Sequence, residues 1–311
     1  MPRAKWGVRA AMAGVVLASV TSFGCIKKIL LDGQISSTRK ASAAVNTIGD
    51  YEVAERAANA GLGQIEGLRY LAPDNEDAIF MLTRSWASVA LGFMEDAMER
   101  AEDEEGGTSA NYDYHRRRAR AAYERAIWYG SQLVETEHEG FKDAQTNDAS
   151  IREYLKQFDD PEDAEKLFWL GYAWLGRTGV SSEKGEVVGQ LFIAVALLER
   201  SVELDPTYMN GSGHTALGAY HARTAMAELD EAKQHFDEAI KISEGKVLLP
   251  KVQLAIRYYC AKGDKDNYVK TLNEVMAAGD GDPYQRLANT IAKRKAQRWL
   301  GEKRMSQYCG F

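Results

Sequence analysis

The stretch Lys246–Met276, KVLLPKVQLAIRYYCAKGDKDNYVKTLNEVM, has the pattern of two helices joined by a short polar break. Apolar residues recur at helical spacing on both sides of the break, which is the main sequence signal for an amphipathic helix. Neither half carries an arrangement of residues typical of catalysis. The segment 286–300, RLANTIAKRKAQRWL, has the same character. This end of the chain therefore predicts helices that serve to pack against one another.

The same periodicity extends over nearly all of the chain after residue 25, with almost none of the apolar–polar alternation typical of strands. It predicts an all-α fold with a long insertion loop at 177–185. The predicted helices span 35–47, 51–71, 75–101, 112–135, 149–157, 161–176, 186–204, 211–227, 229–243, 248–262, 265–278 and 283–305.

Several of these helices share a small–large–small spacing that is typical of the second helix of a tetratricopeptide repeat (TPR). Small residues let neighbouring helices approach, and the large residue fills the gap between them. Because one helical hairpin cannot bury its apolar face alone, hairpins of this kind must stack. We therefore expect residues 25–311 to form one domain of stacked helical hairpins, a degenerate TPR-like array. The positions are Ala194, Leu198, Ser201 and Pro206; Ala232, Phe236 and Ala239; and Ala119, Tyr123 and Ala126.

The N-terminus has the layout of an export signal. Basic residues at positions 3, 5 and 9 precede an apolar run at 10–23, which is short for a permanent membrane span. Cys25 follows, as in a bacterial lipobox, where the cysteine is lipidated and its acyl chains hold the protein at a membrane. We expect residues 1–24 to be a lipoprotein signal peptide. Ile26, which follows the cysteine in place of an aspartate, favours sorting of the lipoprotein to the outer membrane. Ordinary cleaved secretion and an uncleaved anchor are the alternatives.

Composition narrows the class of protein. The 311 residues are 45% hydrophobic and 27% charged, an ordinary globular mixture. A net charge of −6 disfavours nucleic acid as a partner, because a phosphate backbone requires a basic face. The one basic cluster, HRRRAR at 115–120, is expected to face the acidic segment 95–105.

Candidate catalytic and metal-binding residues are few. His214 and His221 lie seven residues apart on one predicted helix, whereas a metal pair usually needs closer spacing and a third ligand. We therefore expect structural histidines and no metal. No phosphate-binding loop, nucleophile elbow or cysteine with a partner base is visible, so we expect neither enzymatic activity nor a cofactor. Cys260 and Cys309 could form a disulfide in an oxidising compartment or remain free thiols.

An aromatic cluster in LFWLGYAWLG is the strongest candidate for a binding site. Aromatic residues at this density usually fill a core, but repeat arrays also use aromatic-lined surfaces for binding. We expect at least one of the four aromatic side chains to face a cavity or a neighbouring subunit. The helix that begins near residue 211 would border the same space. The candidate lining residues are Phe168, Trp169, Tyr172, Trp174, His214 and Tyr220.

Several segments in order resemble the TatT family, the lipoprotein T components associated with tripartite ATP-independent periplasmic (TRAP) transporters. They are CIKKILLDG, AIFMLTRSWASVALGFMEDAMERAED, RRRARAAYERAIWYG, GSGHTALGAY, HFDEAIKISEGKVLLPKVQLAIRYYCAKGDKDNYVKTLNEVM and RLANTIAKRKAQRWL. The resemblance extends over nearly the whole mature chain. The Gly245–Lys246 turn and the run 286–289 are its most specific parts.

The resemblance implies an all-helical fold with cryptic TPRs, often a homotrimer, that bears an apolar pore or pocket. It also implies a partner, the periplasmic solute-binding protein of a TRAP system, in a Gram-negative-type envelope. The expected function is to dock that protein and to hold or pass an apolar ligand. A generic TPR scaffold lipoprotein, acting in envelope or secretion-complex assembly, is the alternative.

Overall fold

The computed structural model describes residues 28–223 and 228–311, and every regular element within them is helical. Residues 28–41 form α1. The other α-helices are α2 Tyr51–Leu71, α3 Glu76–Val89, α4 Glu95–Glu105, α5 Ala110–Glu137, α6 Phe141–Ala144, α7 Asp148–Leu155, α8 Asp163–Gly179, α9 Gly185–Val188, α10 Leu191–Leu204, α11 Tyr208–His221, α12 Leu229–Ile242, α13 Leu249–Gln253, α14 Cys260–Lys262, α15 Lys265–Ala277, α16 Arg286–Trp299 and α17 Glu302–Arg304. Short 3₁₀ helices lie at Ser42–Thr47 and Pro283–Gln285, and π-helical segments at Ala90–Met94, Leu254–Tyr259 and Met305–Cys309.

The helix starts have local causes. The side chains of Asp50, Asn75 and Asp264 each accept a hydrogen bond from the backbone N–H three residues on, at 2.9, 2.9 and 3.1 Å. Such caps satisfy donors that have no partner inside the helix. The all-α prediction is confirmed for the described residues. Within them, no helix has the length and apolar character needed to cross a bilayer.

Long helices that follow one another in the chain pack together, in the order α2, α3, α5, α8, α10, α11 and α12. The large residue of each small–large–small set is buried with its small neighbours, as the spacing predicts; these large residues are Tyr123, Leu198 and Phe236. Glycine allows the close approach at α11. A Cβ added at Gly218 would lie 2.7 Å from the Phe236 ring.

The last long helix returns to the first ones. Leu287 of α16 belongs to the same apolar core as α2, α3, α5 and α8. The α16 helix also packs on the 3₁₀ helix Ser42–Thr47 and on α2. The described part of the chain therefore closes on itself, because α16 packs on the helices near its beginning.

Ion pairs between α4 and the C-terminal helices α16 and α17 stabilise this closed arrangement, which we call the α4–α16 closure. Arg298 reaches Asp96 at 2.6 Å and Glu99 at 2.9 Å, while Lys295 reaches Glu99 at 2.6 Å. Arg304, which is buried, pairs with Asp103 at 2.7 Å. These side chains are mostly shielded from water, so the ion pairs are screened much less than surface pairs.

The helix that carries HRRRAR packs on the acidic segment, as expected, because α5 and α4 are in contact, but the charges of the two segments do not pair. Among the described residues, no ion pair joins 115–120 to 95–105. Three of the four arginines of HRRRAR pair instead with Asp113 on their own helix or with Glu183, to which Arg120 approaches at 2.5 Å. The C-terminal basic residues reach α4 because α16 packs back on the start of the chain.

A disulfide joins Cys260 to Cys309, with the two Cα atoms 4.9 Å apart. It holds the last π-helical segment against α14. Close by, Phe311 packs on Tyr268 of α15 with ring centroids 5.2 Å apart. The bond decides between the two alternatives that the sequence left open.

Removing this disulfide should lower the free energy of unfolding by about 2–4 kcal/mol, because the link restricts a long loop of the unfolded chain. The two cysteines lie 49 residues apart. The double variant Cys260→Ser, Cys309→Ser leaves neither partner of the disulfide as a free thiol, and urea unfolding measures the loss. A reductant should destabilise the parent protein by the same amount and leave the variant unchanged. Equal stability of parent and variant would contradict the prediction.

Candidate functional site

Three of the four clustered aromatic residues on α8 lie in the core. Phe168, Trp169 and Trp174 are each at most 5% exposed. Trp169 donates its indole N–H to the Tyr208 hydroxyl at 3.0 Å. Tyr172 differs from the other three, because it is only partly buried at the edge of the same core. It is the member of the cluster that remains accessible.

Tyr172 lies in a charged environment. The pKa of its phenol is raised by burial and by the nearby carboxylate of Glu95, against which the Arg257 guanidinium acts. Glu95 itself accepts a hydrogen bond from the Tyr123 hydroxyl at 2.5 Å. Burial raises the pKa of the Glu95 carboxyl, although Lys295 opposes the rise. The edge of the aromatic cluster is therefore polar on one side and apolar on the other.

Two π-helical segments position the charged residues near Tyr172. Glu95 follows Ala90–Met94 directly, and Arg257 lies inside Leu254–Tyr259. A π turn inserts an extra residue and so re-aims the side chains that follow it, and such turns are frequent at functional sites. The Tyr51 hydroxyl donates to the Gly92 carbonyl at 3.0 Å and so satisfies an acceptor within the first segment.

The other two candidates lie on α11. His214 is half-buried, and its Nδ1 lies 2.9 Å from Nδ1 of His235 on α12. Tyr220 is partly buried, with the Arg223 guanidinium stacked 3.7 Å from its ring centroid. His235 was not singled out in the sequence, because only the packing of α12 on α11 brings it to His214. Burial first, then His214 and His221, lowers the pKa of His235 to about 4.

The start of α11 carries backbone strain. Met209 and Asn210 are left-handed, with φ of 49° and 58°, and Gly211 follows at 78°. A left-handed non-glycine residue costs about 1–2 kcal/mol. Strain of this kind clusters at functional sites, where the surrounding structure maintains it.

Two surface cavities are formed elsewhere. One, of about 330 Å³, lies between the 3₁₀ helix Ser42–Thr47 and α16; the other, of about 690 Å³, lies beside α7. Neither contains any of the six candidate residues. Cys25 and the signal segment 1–24 lie outside the described residues, so the expected lipidation site has no structural description.

The sequence between residues 48 and 306 matches the family model of the TRAP transporter T-component, TAtT. No curated protein matches the chain. The family match spans well over half of the chain and includes both the α8 cluster and the α4–α16 closure. The chain therefore belongs to the TRAP transporter T-component family.

Proposed function

We propose that this protein is a non-enzymatic, lipid-anchored component of a TRAP transporter that docks the periplasmic solute-binding protein. Membership of the T-component family carries the association with a TRAP system. The order of basic lead, apolar run and Cys25 supports a lipid anchor at the periplasmic face of the outer membrane. The Cys260–Cys309 disulfide supports an oxidising compartment, since such bonds are rare in the cytosol.

The proposed architecture is a degenerate TPR array that assembles as a homotrimer. Sequential packing of the long helices and burial of the small–large–small positions support the array. Closure of α16 onto α2 would make each subunit a rigid unit. The trimer follows from the resemblance to TatT proteins alone.

The proposed ligand space borders the α8 cluster at Tyr172 and the α11 face at Tyr220. An apolar ligand would be held or passed there, with its polar end toward Glu95. Tyr172 supports this space, because it is the member of the α8 cluster that is only partly buried and it lies near the Glu95 carboxylate.

The proposed docking face lies where the end of α2 meets α5. Trp128 is 56% exposed and Tyr70 86%, and Leu71 beside Tyr70 is also exposed. The Arg69 guanidinium donates to the Gln132 side chain at 3.3 Å, which joins the two helices one turn from Trp128. Exposed aromatic side chains of this size are candidates for a protein interface, and tryptophan is enriched among residues that dominate binding.

Replacing Trp128 by alanine should weaken binding of a TRAP solute-binding protein by about 30-fold, the loss of about 2 kcal/mol that defines an interface hot spot. Titration calorimetry with the purified solute-binding protein measures it. Tyr114→Ala is the matched control, since Tyr114 is also an exposed aromatic residue of α5 but lies near the opposite end of the helix.

Loss of binding in the control but not in Trp128→Ala would place the docking face elsewhere. If the unaltered chain binds no TRAP solute-binding protein, docking is the wrong function. Co-purification with envelope or secretion-complex proteins would then favour the generic scaffold.

A further inference from the structure

Three imidazoles and two carboxylates meet where the end of α11 faces the start of α12. His221 closes α11, and Glu228 and Glu231 stand at the start of α12. His221 Nδ1 lies 2.7 Å from Glu228 Oε2 and 3.2 Å from Glu231 Oε2. The imidazole nitrogen and the two carboxylate oxygens all lie within 4.8 Å of one another.

Two further histidines hold His221 in place. The rings of His221 and His235 are stacked, with centroids 5.4 Å apart and planes inclined by 10°. His235 in turn contacts His214 through their Nδ1 atoms. The stacked His235 ring limits the movement of the His221 imidazole, whose Nδ1 faces the two carboxylates.

An ion pair alone explains the trio poorly. The single Nδ1–H of His221 can satisfy only one carboxylate fully, yet two approach it. Among the described residues, neither Glu228 nor Glu231 pairs with a lysine or arginine. Two carboxylates held this close repel each other, and a cation between them would remove the repulsion.

We propose that His221, Glu228 and Glu231 bind a divalent transition-metal ion of the Zn²⁺ class, with water completing the coordination. One imidazole and two carboxylates suit zinc better than magnesium or calcium, which prefer oxygen ligands alone. Ligands of tetrahedral zinc, bonded at about 2.0–2.2 Å, lie about 3.3 Å apart, so small rotations of the exposed glutamates suffice. Their exposure also gives an ion a path to the site. The spacing of His214 and His221 had favoured structural roles, and α12 supplies the ligands that this spacing lacked.

The test uses the full chain without an affinity tag, freed of metal with a chelator and titrated with zinc chloride in a calorimeter. We expect one ion per chain at micromolar or tighter affinity. Glu228→Gln should weaken binding at least about tenfold, because even the outer contacts of metal sites contribute that much. Glu228 is exposed, so this variant should remain folded. Asp237→Asn is the matched control on the same helix, since the Asp237 carboxylate pairs with Lys233 at 2.5 Å.

Other outcomes would overturn the proposal. Binding that is absent, or equal in Glu228→Gln and the parent, would reduce the trio to a histidine–carboxylate ion pair. Binding abolished by His214→Gln but kept in His221→Asn would place the ion on the other pair of histidines. Calcium bound as tightly as zinc would exclude the imidazole as a ligand.

Discussion

Replacing Arg298 by alanine is expected to lower the free energy of unfolding by about 3–5 kcal/mol, the cost of removing one partner from a buried ion pair. The Arg298 side chain is 11% exposed and that of Asp96 9%. Both Asp96 and Glu99 would lose a short contact, and neither could be fully hydrated in its place. Denaturant unfolding measures the loss.

Arg56→Ala is the matched control. Its ion pair with Glu52 lies within α2 at 3.3 Å, and its side chain is 78% exposed. Exposed pairs of this kind contribute below about 1 kcal/mol. Equal losses in the two variants would show that the α4–α16 closure contributes no more than a surface contact.

The effect of Arg298→Ala should also depend on pH. Burial alone would raise the pKa of the Asp96 carboxyl, but Arg294 and Arg298 hold it below its usual range. The pKa of Glu99 is lowered in the same way by Lys295, Arg298 and Arg304, against burial. Because these pKa values are depressed in the folded protein, their stabilisation is present above about pH 4 and is lost as the pH falls through the folded values. The difference in stability between parent and Arg298→Ala should therefore shrink in acid, and a constant difference would contradict the assignment.

Replacing Phe236 by alanine should cost about 3–5 kcal/mol, because its fully buried ring is the large side chain between α11 and α12. Tyr284→Ala, at an exposed aromatic position, is the control and should cost under about 1 kcal/mol. Denaturant unfolding of the two variants gives the comparison.

A double-variant cycle tests the Phe236 contact itself. Gly218→Ala should destabilise the parent, because the added Cβ would meet the Phe236 ring at 2.7 Å. In the Phe236→Ala background the same change should stabilise the protein by up to about 1 kcal/mol, the helix preference of alanine over glycine. A change of the same sign in both backgrounds would mean that Gly218 and Phe236 are not coupled.

The sequence determined the helices and much of what they bury. Helical periodicity and N-caps such as Asp50 and Asn75 act within a few residues, so they can be recognised without knowing the fold. The same holds for Tyr123 and Phe236, whose small neighbours one turn away already mark them as the large residues of a helix contact. The segments quoted from the sequence were also sufficient to indicate the T-component family.

Only the tertiary structure decided which distant residues meet. The acidic residues of α4 could have paired with HRRRAR or with the C-terminal basic residues, and the return of α16 to the start of the chain selected the latter. The pairing of Cys260 with Cys309, and the approach of His235 and Glu228 to α11, were decided in the same way. Residues of the same type or the same charge look alike in a sequence pattern, so the pattern does not show which of them will form a contact. Partners far apart in the chain are chosen by how the helices stack, which local periodicity does not encode.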